Sequence, residues 1–121
     1  MTSPVVVTDV TVSIPVQGVS DAARWYKRLF GEVHQIEPAT DIIELEITKG
    51  VWLQLTQEEN PQEESNKHVL RLGVTDIEKT VTNLKALGIQ IGKINRIEHL
   101  IAWCNFQDPY GNRLSLYQYL S

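Results

Sequence analysis

The chain holds 121 residues (13.8 kDa), 42% of them hydrophobic and 21% charged, with a net charge of −4 and a pI near 5.3. That size and apolar share suit one small globular domain whose core needs no disulfide or metal staple, and the acidic balance argues against a nucleic-acid surface, which requires clustered Lys and Arg. No apolar run approaches the roughly 20 residues of a membrane span, the first dozen residues carry no export signal, and the single cysteine, Cys104, forms no internal disulfide and fits a reducing cytoplasm.

Residues 5–16 are rich in β-branched side chains and alternate loosely, which predicts a strand. Ser20 or Asp21 then offers a side-chain oxygen to cap a helix over residues 21–30, where Ala22, Trp25, Tyr26 and Leu29 recur at helical spacing and Gly31 supplies the stop. Strands follow at 42–48 and 51–56, joined by a tight turn through Lys49-Gly50. Residues 68–74 read as the next strand, with Thr75 or Asp76 as a second cap. Ile77, Val81, Leu84 and Leu87 make an apolar helical stripe that ends at Gly88. A short strand is expected at 89–94 and a longer one at 100–106. Asp108-Pro109-Tyr110-Gly111-Asn112 is a strong turn before a last strand at 113–119.

The second half repeats the first. Thr11 falls opposite His68 and Gly31 opposite Gly88 at one offset, and Leu53-Gln54-Leu55 matches Leu114-Ser115-Leu116. The simplest description is one domain, residues 1–121, made of a βαβββ module used twice: module one at 5–56 and module two at 67–120. The connector between them, 57–66, holds four glutamates and reads as a solvated linker.

Three stretches carry a family resemblance: VQGVSDAARWYKRLFG at 16–31, HVLRLGVTDIEKTVTNLKALG at 68–88 and FQDPYGNRLSL at 106–116. With the duplicated order, they make the chain similar to the vicinal oxygen chelate superfamily, the group of glyoxalases, bleomycin-resistance proteins and extradiol dioxygenases. A ferredoxin-like duplication shares the strands and helices but does not predict the Asp-Pro-Tyr-Gly-Asn turn. The resemblance implies an α+β fold in which two βαβββ modules form curved mixed sheets around a concave pocket, and it implies a homodimer. If Leu53, Leu55, Leu114 and Leu116 pack on the helices, alternation turns Trp52, Gln54, Arg113, Ser115 and Tyr117 into the pocket. Thr11, Ser13, His68 and Leu70 are expected there from the first strand of each module, and Trp103 nearby.

Metal-dependent members of such a family carry one ligand on the first and last strand of each module. Carried over, those positions are Thr11, Gln54, His68 and Ser115. His68 is a good ligand and the candidate catalytic residue, Gln54 a weak ligand, and the two hydroxyls poor ones. A catalytic zinc or iron site usually takes three ligands from His, Cys, Asp and Glu, so no cofactor is expected. A different register would bring in Glu44, Glu46, Glu98 or His99.

His68 is either a general base or a position inherited with the fold. Gln54 and Ser115 either bind a polar ligand or satisfy each other. Cys104 has no His–acid partner and reads as a buried, inert thiol. Phosphate-cradling glycine loops, paired cysteines and a Gly-x-Ser-x-Gly elbow are absent from the sequence. The expected function is metal-free binding of a small molecule, in a pocket between the modules or at a dimer interface, and the acidic balance suits a cationic ligand. A metal-dependent lyase, isomerase or dioxygenase of the same superfamily, and a non-catalytic module with a closed pocket, remain the alternatives. Whether the chain is an enzyme stays open at this point.

Overall fold

A computed structural model describes residues 3–62 and 68–121, so residues 63–66 of the acidic connector lie outside the described residues. The chain divides into two compact units, residues 1–59 and 60–121. In the first, β1 (Val10–Val16) is followed by α1 (Val19–Phe30), β2 (Gln35–Ala39), β3 (Ile42–Thr48) and β4 (Val51–Gln57), in the sheet order β1-β4-β3-β2. The second unit has β5 (Val69–Gly73), α2 (Ile77–Ala86), β6 (Asn95–Ile97), β7 (Ile101–Gln107) and β8 (Arg113–Tyr119), in the order β5-β8-β7-β6. In each unit the first and last strands pair in parallel and the remaining pairs are antiparallel. The α+β architecture of two repeated βαβββ modules is therefore present.

One face of each sheet carries the core. Ile14, Val16, Ile43, Leu45, Leu53 and Leu55 are buried in the first unit, together with Ala22, Ala23 and Tyr26 of α1. In the second, Ala102, Cys104, Phe106, Leu114 and Leu116 are buried with Ile77, Val81 and Leu84 of α2. Strand residues at i and i+2 share a face, so the alternation that buries Leu53/Leu55 and Leu114/Leu116 leaves an opposite, open face on each sheet.

The ends of α2 follow local chemistry. Asp76 caps it, its carboxylate accepting from Lys79 N at 3.1 Å. At the far end Gly88 N donates to Lys85 O and Ile89 N to Leu84 O, the bond pair of a Schellman stop. Gly88 holds a φ of 83° there, a left-handed conformation that a side chain would strain. The Ile77 amide donates to Gln118 Oε1 at 2.9 Å, which ties the helix start to β8.

Two expectations need correction, and one strand, β2, has no counterpart in the sequence pattern. Helix α1 begins at Val19 behind Gly18, with no side-chain cap, and not at Ser20 or Asp21. The Gly18 amide donates to Gln57 Oε1 at the end of β4, a partner 39 positions away. Strand β2, with the sequence QIEPA, has no apolar alternation and is mostly exposed, so only its pairing with β3 defines it. The short strand of the second unit is Asn95–Ile97 rather than 89–94, because that segment pairs with Ile101, Ala102 and Trp103. Ile91 makes a single bridge to Phe106.

The Asp108–Asn112 turn is a closed hydrogen-bonded knot. Asp108 Oδ1 accepts from the amides of Tyr110 (2.9 Å) and Asn112 (2.8 Å), and Oδ2 accepts from Asn112 Nδ2 (2.8 Å). Asp108 N donates to Asn112 O at 3.0 Å. Both side chains are buried, Asp108 at 5% and Asn112 at 4% exposure.

Candidate functional site

The strand registers define rows across each open face. In the first unit Ser13 of β1 stands beside Gln54 of β4, which stands beside Glu44 of β3. Gln54 Nε2 donates to Glu44 Oε2 at 2.7 Å, so its amide is committed within its own sheet. Thr11 pairs with Trp52, and the Trp52 indole meets the His34 ring edge-on at 5.5 Å. Glu46 Oε2 accepts from Gly50 N at 3.2 Å. Thr11, Trp52 and Gln54 thus share the open face of the first sheet with two carboxylates.

The corresponding row in the second unit is Arg71 of β5, Ser115 of β8 and Asn105 of β7. The next row joins Val69, Arg113 and Gln107, and on the other side lie Gly73, Tyr117 and Trp103. Trp103, Arg113, Ser115 and Tyr117 therefore share one face, as alternation from Leu114 and Leu116 requires. His68 does not join them. It precedes β5, is exposed, and stands in step with Leu70, which pairs with Leu114 of the core. Leu70 likewise belongs to the helix side, and Val69 and Arg71 take the open face.

Arg71 is the residue that sequence reasoning missed. The signal was available in Leu70 and Leu72, whose spacing mirrors Leu114 and Leu116 and fixes the phase of β5. Its guanidinium lies over the Tyr117 ring, 5.5 Å from the centroid. Tyr117 is itself fixed. Tyr119 packs against it edge-on at 5.4 Å, and a Cβ on Gly73 would come within 3.1 Å of its ring, so only glycine lets the ring lie that close.

An open cavity of about 350 Å³ lies on this face, lined by Val69 and Arg71 of β5, Asn105, Phe106 and Gln107 of β7, and Arg113 and Leu114 of β8. Its polar lining residues, among those described, are two arginines and two primary amides. Neither Arg71 nor Arg113 forms a salt bridge among the described residues, whereas Arg24 pairs with Asp21 and Arg96 with Glu78. Between Arg71 and Asn105, Ser115 is fully buried, and its Oγ has no hydrogen-bond partner among the described residues. An unpaired buried hydroxyl costs about 1–3 kcal/mol.

The donors do not fit a resident divalent metal. On the open faces of the first and last strands the residues are Thr11, Ser13, Pro15, Trp52, Gln54 and Thr56 in one unit. In the other they are Val69, Arg71, Gly73, Arg113, Ser115, Tyr117 and Tyr119. No histidine, cysteine or carboxylate stands at these positions, and a guanidinium repels a cation. No group of three or more His, Cys, Asp or Glu side chains gathers among the described residues. Glu98 and His99 are exposed in a turn, 3.7 Å from each other. Cys104 is buried in β7, and desolvation pushes its thiol pKa up, which keeps it neutral and unreactive.

A family model described as the Glyoxalase/Bleomycin resistance protein/Dioxygenase superfamily matches residues 9–116. The chain belongs to that superfamily. Solved structures share this superfamily fold at low identity. An antibiotic-binding protein, TnmS3 from Streptomyces sp. CB03234, aligns with a TM-score of 0.77 and 18% identity, over 98% of this chain and 99% of that one. The fosfomycin resistance protein FosX of Listeria monocytogenes gives 0.73 and 15%, over 98% and 94%. A glyoxalase/bleomycin resistance protein from Catenulispora acidiphila DSM 44928 gives 0.72 and 17%, over 91% and 96%. No curated relative matches the chain significantly. Identities this low establish the shared superfamily fold, and the chemistry has to come from the residues above.

Proposed function

We propose that this protein is a binding member of its superfamily, holding a small molecule non-covalently on the open face of its second sheet and working without a resident metal. The cavity lined by Arg71, Arg113, Asn105 and Gln107 carries this reading, since among the described residues it offers hydrogen-bond donors and the exposed Val69 side chain but no metal-binding donor set. An antibiotic-binding protein of the same fold supports it. A thermal-shift screen of chemically diverse small molecules tests it. A ligand at a hundredfold excess over its Kd raises stability by about 2.7 kcal/mol, and the response disappears in Val69→Trp, which fills the cavity from an exposed position. A response that survives the substitution, or a stoichiometric metal in protein purified without chelators, refutes the reading.

The protein is further read as a homodimer. Val5, Val6 and Val7, exposed at 70%, 82% and 66%, lead into edge strand β1 and supply apolar surface for a second copy. Light scattering should report twice 13.8 kDa, and a monomer at micromolar concentration sinks this part. A cytoplasmic setting accords with the lone, buried thiol of Cys104. Among the described residues no helix is long and apolar enough to cross a membrane.

A further inference from the structure

We infer that the ligand of the second sheet is an anion, and that Arg71 and Arg113 together receive its oxyanion group, a carboxylate or a phosphonate. This rests on the binding reading above and assigns the ligand's charge. The net charge of −4 points toward cations, but the local charge at the cavity is the reverse. Among the described residues its lining holds two arginines and no carboxylate. The acid next along the chain, Asp108, is buried and accepts three hydrogen bonds from its own turn. Neither arginine forms a salt bridge among the described residues, so a ligand oxyanion meets two uncompensated cations. Planar, forked donors suit carboxylate and phosphonate oxygens, and the Asn105 and Gln107 amides add neutral donors beside them.

The geometry also assigns a positioning role. Tyr117 holds the Arg71 guanidinium over its ring at 5.5 Å, and Gly73 makes room for that ring. Arg71 is thereby ordered before the ligand arrives, which lowers the entropic cost of binding. The buried, unpartnered Ser115 hydroxyl beside Arg71 and Asn105 is the second mark of a face shaped for something other than packing.

The test uses probes of one shape and different charge: benzoate and phenylphosphonate as anions, benzamide as the neutral control and benzamidine as the cation. Calorimetric titration of the whole chain should show the anions binding at least about tenfold more tightly than benzamide, with benzamidine weakest and added salt weakening the anions. The two anions separate carboxylate from phosphonate as the preferred group. Arg71→Ala and Arg113→Ala, both at exposed positions, should each lower anion affinity by about tenfold or more, while Arg113→Lys keeps part of it. Amide resonances of Asn105 and Gln107 should shift on titration with the anion. Benzamidine binding as well as benzoate, an unchanged affinity in both alanine variants, or no binding of either anion at millimolar concentration overturns the charge assignment. The diverse screen with Val69→Trp then still decides the binding reading by itself. Tyr117→Leu should weaken benzoate and leave benzamide unchanged; equal loss for both would make Tyr117 a general wall and remove its role in positioning Arg71.

Discussion

Asp108→Ala should lower the unfolding free energy by about 3 kcal/mol. The carboxylate of Asp108 satisfies the amides of Tyr110 and Asn112 and the Asn112 side chain, and it is only 5% exposed. Alanine strands all three donors, at least two of them where water reaches poorly. Small domains have about 5–15 kcal/mol in total, so this is a large fraction. Asp108→Asn keeps the Oδ1 acceptor for the backbone but sets an NH2 group against Asn112 Nδ2. Adding Asn112→Asp restores complementarity, and the double variant should recover most of the single variant's loss. Guanidinium unfolding followed by tryptophan fluorescence reads all three. A loss below about 1 kcal/mol for the alanine variant would mean the turn is held by its neighbours.

Tyr26→Ala should cost about 3–5 kcal/mol, the range for deleting a buried aromatic ring. Tyr26 is fully buried in α1, meets Trp25 edge-on at 4.8 Å and stacks on Phe30 at 6.1 Å. Helix α1 packs on β3 and β4, and the small buried neighbours Ala22 and Ala23 have no volume to collapse into the gap. Tyr26→Phe keeps the ring and should lose far less. The same denaturation curves measure both, and similar losses for the two would place the stabilisation in the hydroxyl rather than in packing.

The elements readable in the sequence are those whose reason is local. Asp76 and Gly88 delimit α2 through bonds to residues three to five positions away, and Asp108 closes its turn within five residues. The paired leucines of β4 and β8 fix which faces are buried, which is why Trp52, Gln54, Arg113, Ser115 and Tyr117 could be assigned to open faces. The elements that were not readable depend on distant partners. Gly18 caps α1 with Gln57 as its partner, β2 exists through β3, and β6 takes its position from β7. At β5 the phase of Leu70 and Leu72 puts Arg71 on the face that His68 was expected to occupy. Net charge carries less information still, because it averages over the surface while a ligand meets only the groups within a Debye length.

The parallel pairing of first and last strands has a consequence for how the chain is made. Ser13 meets Gln54 and Arg71 meets Ser115 only after roughly 40 intervening residues have been laid down. Strand β1 leaves the ribosome as an unpaired edge and stays one until β4 follows, as β5 does until β8, so each is exposed to wrong pairing during that interval. Once β4 is out, the first unit has every strand it needs. Its sheet can close while the second unit is still being translated, which gives the duplicated architecture two short periods of exposure in place of one long one.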